Sequence, residues 1–71
     1  MKRGDLVVIS PGAHGYPDEW KRGEDPTSFQ GGGWGIFLDK FEESISSPRT
    51  FYRLVTPFGT VSMNSVFCRG V

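Results

Sequence analysis

The stretch that decides the fold is TFYRLVTPFGTVSMNSVF, residues 50–67. Two runs of alternating side chains flank a turn. In TFYRLVTP, Tyr52, Leu54 and Thr56 fall on one face and Phe51, Arg53 and Val55 on the other. Pro57 suits the first corner of a β-turn, and Gly59 allows a positive φ just after it. In TVSMN, Val61 and Met63 point inward while Thr60, Ser62 and Asn64 point outward. The period of two over both runs is that of half-buried strands, so 50–64 reads as a tight β-hairpin. Asn64-Ser65 then breaks the alternation. NSVF reads as a short 3₁₀ turn capped by Asn64 or Ser65, and CRGV as a last short strand.

Upstream lies GGGWGIFLDKF, residues 31–41. Its glycines invite a phosphate-loop reading. That motif needs a following Gly-Lys-Ser/Thr and a helix whose N-terminus receives the anion. Trp34 and a strand-like run follow instead. WGIFLDKF is therefore the second strand, with Trp34, Ile36 and Leu38 alternating with Gly35, Phe37 and Asp39. Gly35 leaves room where strands cross closely. DLVVIS is the first strand, stopped by Pro11-Gly12. Leu6 and Val8 share one face, Val7 and Ile9 the other, and both are apolar, as in a strand covered on both sides. Residues 10–33 hold Pro11, Pro17, Pro26 and six glycines without apolar periodicity. They read as one long loop in which YPDEWKR forms a single helical turn. EESISSPR is a polar connection ended by Ser47-Pro48.

No segment keeps a helical period over three turns. Five short strands in one domain, 1–71, give an all-β fold, a small five-stranded barrel. Closing the barrel removes the sheet edges that would otherwise be exposed.

Composition narrows the function. Of 71 residues, 37% are hydrophobic and 23% charged, as in ordinary globular domains. A chain this short has a marginal core and gains from a staple or partner. Cys68 is the only cysteine and His14 the only histidine. An internal disulfide and a Cys/His metal cluster are therefore absent, and no cofactor motif occurs. No apolar run has the length of a membrane span or a signal peptide, so no membrane association is expected. The expected location is the inside of a cell or a particle. Net charge is zero, against generic electrostatic binding of nucleic acid. The charge is unevenly spread, because all eight acids lie between Asp5 and Glu43 and residues 44–71 carry only Arg49, Arg53 and Arg69.

The opening GDLVVI, the glycine-containing GWGIFLDKF and the hairpin YRLVTPFGTVSMNSVF together resemble the small SH3-like barrels encoded by bacteriophages, notably marine and cyanobacterial ones. Gly4, Asp5, Gly35, Tyr52, Leu54, Gly59, Thr60, Val61 and Val66 carry the resemblance, which skips residues 10–33. It implies a five-stranded SH3-like barrel with a 3₁₀ turn before the last strand. Ribosomal and transcription-factor KOW modules share that shape and contact RNA. Here that alternative would use Lys2, Arg3, Arg49, Arg53 and Arg69. The plasmid-encoded type II dihydrofolate reductases are also SH3-like, but their pore needs a Val-Gln-Ile-Tyr stretch. TVSMN stands in its place here, so reductase activity is not expected.

Catalytic groups are sparse. His14, Asp18, Glu19 and Asp25 share the long loop at no metal-ligand spacing, and Ser46, Ser47 and Ser62 have no base in a recognisable motif. No enzyme is expected. Aromatic residues are the better lead, with ten in the chain. Phe37, Phe41 and Tyr52 suit the core or the space beneath the loop. Tyr16, Trp20, Phe29, Trp34 and Phe58 lie in or beside loops. Such side chains either pack as a satellite core, anchor an interface or stack on bases. Tyr16, Trp20, Trp34 and Phe58 are the candidate partner-binding residues. The expected partner is a protein or a second copy of the chain, with nucleic acid as the alternative.

Overall fold

The alternation in residues 50–64 becomes the central hairpin of a single curled antiparallel sheet, a half-barrel. The computed structural model describes residues 1–43 and 49–71. Strands β1 (Leu6–Ile9), β2 (Ala13–Pro17), β3 (Thr27–Phe29), β4 (Gly33–Glu43), β5 (Arg49–Thr56), β6 (Gly59–Asn64) and β7 (Cys68–Gly70) lie in the order β3-β2-β6-β5-β4-β1-β7. Among the described residues there is no α-helix. Most of the connection expected over EESISSPR, including Ser46, Ser47 and Pro48, lies outside the described residues.

The concave face holds the core. Val7, Ile9, Ala13, Phe29, Phe37, Leu54, Val61 and Met63 are buried there, with Tyr52, Phe67 and Cys68 packed against them. Leu54, Val61 and Met63 point inward as the alternation demands. β1 differs from expectation, because Val7 and Ile9 are buried while Leu6 is exposed. Only one face of β1 is covered, since among the described residues no other layer lies over the convex side. Phe41, expected in the core or beneath the long loop, is not part of the core and is exposed.

The β5–β6 turn follows the sequence closely. Gly59 has φ +103°. Among the described residues, Thr56 is the one buried polar side chain. Its Oγ1 donates to Gly59 O at 2.8 Å and accepts from Phe58 N at 3.1 Å, so burial leaves no lone hydroxyl. The 3₁₀ turn spans Ser65–Phe67, and Asn64 caps it by accepting from Val66 N at 3.0 Å.

The main correction concerns residues 10–33, whose two strands bring the count among the described residues to seven in place of the expected five. The expected long loop contains β2 and β3. Ala13–Gly15 pairs with β3, and Tyr16–Pro17 passes on to β6. The inward side chains of β2 are Ala13 and Gly15, which leave no apolar rhythm to read. The helical turn expected in YPDEWKR is instead the end of β2 followed by a turn, in which Trp20 N donates to Pro17 O at 2.8 Å. Pro17 is the last strand residue, where its missing N–H costs nothing.

Phe29 ties this excursion to the core. It sits between Gly15 and Gly33, where an added Cβ would come within 3.2 and 3.0 Å of its ring. Phe29 O accepts from both Gly12 N (2.8 Å) and Gly32 N (3.0 Å). Gly32 has φ +81°, and a Cβ there would lie 2.9 Å from Ile9 O. The triple glycine is thus the tight turn between β3 and β4 and the gap that admits Phe29.

β4 carries one irregularity. Phe37 faces Leu54, yet Asp39 faces Arg53, so Leu38 is an extra residue in a β-bulge. After it, Asp39 and Phe41 point to the convex face, in line with Arg53 and Phe51.

Candidate functional site

Four strands place one row of residues side by side on the convex face: Tyr16, Ser62, Arg53 and Asp39. Directly opposed residues share a face and touch, so this row is a contiguous surface. Arg53 is its hub. Its Nη2 lies 2.8 Å from Asp18 Oδ2 and its Nη1 lies 3.1 Å from Asp39 Oδ2. A weaker Nε contact reaches Asp18 Oδ1 at 3.4 Å. Asp18 first, then Asp39, favour the protonated guanidinium and raise its pKa. The two-point contact fastens the turn after β2 to the middle of β5.

Aromatic pairs stand on either side of this clamp. Tyr16 and Trp20 meet edge to face, with ring centroids 5.0 Å apart. The Trp20 indole N–H donates to Glu24 O at 2.9 Å, which fixes the ring. On the β4–β5 arm, Phe41 and Phe51 oppose each other and stack at 5.6 Å. Between the pairs runs an open groove of about 550 Å³, floored by Arg53 and Ser62 and rimmed by Asp18 and Glu43.

Of the sequence candidates, Tyr16 and Trp20 come together in this groove. Trp34 and Phe58 do not. Trp34 is 51% exposed on β4, opposite Val8. Phe58, 70% exposed in the β5–β6 turn, packs edge to face on Phe29 at 5.9 Å. Phe41 and Phe51 were missed as site residues. The signal was present in the alternation of β5, which sets Phe51 on the same face as Arg53. Phe29, grouped with the loop aromatics, belongs to the core.

The basic set is divided. Lys2 and Arg3 precede β1, where Lys2 N donates to Asp5 Oδ2 at 2.7 Å. Arg69 lies on β7 opposite Val8. Arg49 faces Glu43, and Arg53 is held between carboxylates. His14 is exposed on β2 opposite Ser28, and Asp18 is engaged by Arg53. Compared with known proteins, the chain matches no family model, no curated protein and no solved structure.

Cys68 lies away from the groove. Its Sγ is 3.9 Å from Asn64 O, and burial pushes the thiol up to about 11 from its ordinary 9.0. The thiol is therefore protonated near neutral pH, and folded protein is expected to react far more slowly with iodoacetamide than urea-unfolded protein. The folded pKa exceeds the unfolded one. This contribution to stability is thus complete below about pH 9 and is lost as pH rises toward 11. Urea midpoints of wild type and Cys68→Ser across that window check this, because the serine variant removes only the thiol's share of the pH dependence.

Proposed function

We propose that the chain is a non-enzymatic binding module that holds a segment of a protein partner in the groove between Tyr16–Trp20 and Phe41–Phe51. One observation carries the reading. Two aromatic pairs, with Tyr16, Trp20 and Phe41 exposed and Phe51 half-buried, are set around the Arg53 clamp, on a face that no other element covers among the described residues. Aromatic and arginine side chains supply most anchoring energy at interfaces, and their rigidity lowers the entropy lost on binding. An SH3-like architecture agrees with this reading if β1, β4, β5, β6 and β7 are the five barrel strands and β2–β3 elaborates the first connection. The likeness of the strand motifs to phage-encoded barrels supports an accessory or virion role. The KOW-like nucleic-acid reading draws less support, because Arg49 and Arg53 both face carboxylates.

A displayed random-peptide library selected on the immobilised protein tests the proposal. Enriched peptides are expected to lose at least about tenfold in affinity on Trp20→Ala and on Phe51→Ala, and little on Val66→Ser, which lies on the exposed 3₁₀ turn. Enriched peptides that ignore both aromatic substitutions would refute the groove. Oligonucleotide binding that weakens steeply with salt would favour the nucleic-acid reading instead.

A further inference from the structure

The groove has a charge as well as a shape. Asp18 and Glu43 stand on its rim, and Arg53 is the one cation among its lining residues. That cation is already engaged. Its Nη2 lies 2.8 Å from Asp18 and its Nη1 lies 3.1 Å from Asp39, so both ends of the guanidinium face a carboxylate. With Glu43, three carboxylates stand against one guanidinium. Arg49, opposite Glu43 on β5, is not among the lining residues, and among the described residues the two form no ion pair. Asp18 and Asp39 keep 46% and 51% of their side-chain surface exposed, which leaves lone pairs for a second cation.

The aromatic side chains point the same way. The Trp20 indole N–H is spent on Glu24 O at 2.9 Å, so the ring offers a ligand its π face and no donor. Phe41 and Phe51 carry no polar side-chain atom. The faces of such rings hold partial negative charge and attract cations. A second hollow shares Pro17, Asp18 and Trp20 with the groove, and there Glu19, Glu24 and Asp25 stand against Lys21 alone. Trp20 is thus bordered by carboxylates in both hollows. A phosphate or carboxylate brought here would meet acceptors and negative ring faces. A purely apolar side chain would cover the rim carboxylates without pairing them, which costs free energy. A lysine or arginine meets neither obstacle, since its stem packs on the rings while its head reaches the rim.

We propose that the groove takes a basic segment of a protein partner. One lysine or arginine of that segment lies between Tyr16–Trp20 and Phe41–Phe51, with its cationic head at Asp18 and Glu43. Arg53 is then a positioning residue, which holds Asp18 in place on the rim and neutralises none of Glu43. This proposal rests on the peptide-binding reading of the groove and adds the charge of what fills it.

The displayed library supplies the probes. Each enriched peptide whose binding depends on Trp20 and Phe51 is expected to carry a lysine or arginine. Remade with norleucine at that position, it should bind at least about fivefold more weakly, as the loss of a cation–π contact and an ion pair implies. Remade with glutamate, it should weaken further. Glu43→Gln is expected to weaken the lysine peptide about two- to fivefold and to leave the norleucine peptide unchanged, so that the preference for the cation shrinks. Trp20→Leu, which keeps an apolar side chain and removes the π face, should shrink that preference about twofold or more, and it repeats the test should the Glu43 variant fail to fold. Groove-dependent peptides without a basic residue, or with equal affinity after norleucine replacement, overturn this proposal and leave the peptide-binding reading intact. A gain in affinity with glutamate overturns it too, because Arg53 would then be the anchor. So does a preference for the cation that neither substitution changes. If no enriched peptide depends on Trp20 and Phe51, the groove reading fails and this proposal fails with it.

Discussion

Phe29→Ala is expected to destabilise the protein by about 3–5 kcal/mol, the usual loss for a large buried aromatic. A 71-residue domain has roughly 4–10 kcal/mol in all, so this single change removes a large part of it. The reason lies in what Phe29 holds. Its ring fills the gap left by Gly15 and Gly33, carries Phe58 on its edge, and anchors the short β3, which has only three residues. β3 sits at the end of the strand order and pairs only with β2, so nothing else compensates. The midpoint of thermal unfolding should fall by about 15 °C or more. Because Tyr16 and Trp20 stand on the same excursion, peptide binding should be lost along with stability. A fall of under about 1 kcal/mol would mean that β2–β3 does not depend on this anchor.

Gly15→Ala is expected to cost about 1–3 kcal/mol, as overpacking does in a closed core. The added Cβ would lie 2.8 Å from Val61 Cγ2, 3.0 Å from Val61 Cβ and 3.2 Å from the Phe29 ring. Val61 is fully buried and branched at Cβ, so its contact atom cannot swing aside. Gly15 does not have a positive φ, and the penalty is therefore one of space and not of backbone strain. Gly31→Ala provides the contrast. A Cβ there meets nothing within 4 Å, and Gly31 has no positive φ. That variant should be neutral or slightly stabilising, through the narrower unfolded ensemble. Equal urea midpoints for the two variants would show that the 13–15 segment is not pressed against β6.

What the sequence reveals depends on side-chain size. β5 and β6 are legible because their inward residues, Leu54, Val61 and Met63, are large and their outward neighbours mostly polar. β2 hides because its inward residues are Ala13 and Gly15, and β3 because three residues cannot display a period. Half of the groove is visible in the chain, since Tyr16 and Trp20 are aromatics among loop-forming residues. The other half depends on the pairing of Phe41 with Phe51, which follows from register and not from composition. Trp34 and Phe58 look equivalent to Tyr16 and Trp20 in a list of aromatics. The sheet separates them because strand parity and turn position, not residue type, decide where a side chain emerges.

The bulge at Leu38 gives β4 two phases. Before it, odd-numbered residues face the core. Beyond it, odd-numbered residues face outward, and that inversion delivers Asp39 to Arg53 and Phe41 to the groove. Leu38 is the residue that the bulge sets aside. Deleting it would join Phe37, opposite Leu54, directly to Asp39, opposite Arg53, and the arm would become a regular strand with both faces unchanged. The bulge thus gives the arm one residue of slack. The loss of one residue at this point leaves Asp39 and Phe41 on the groove side.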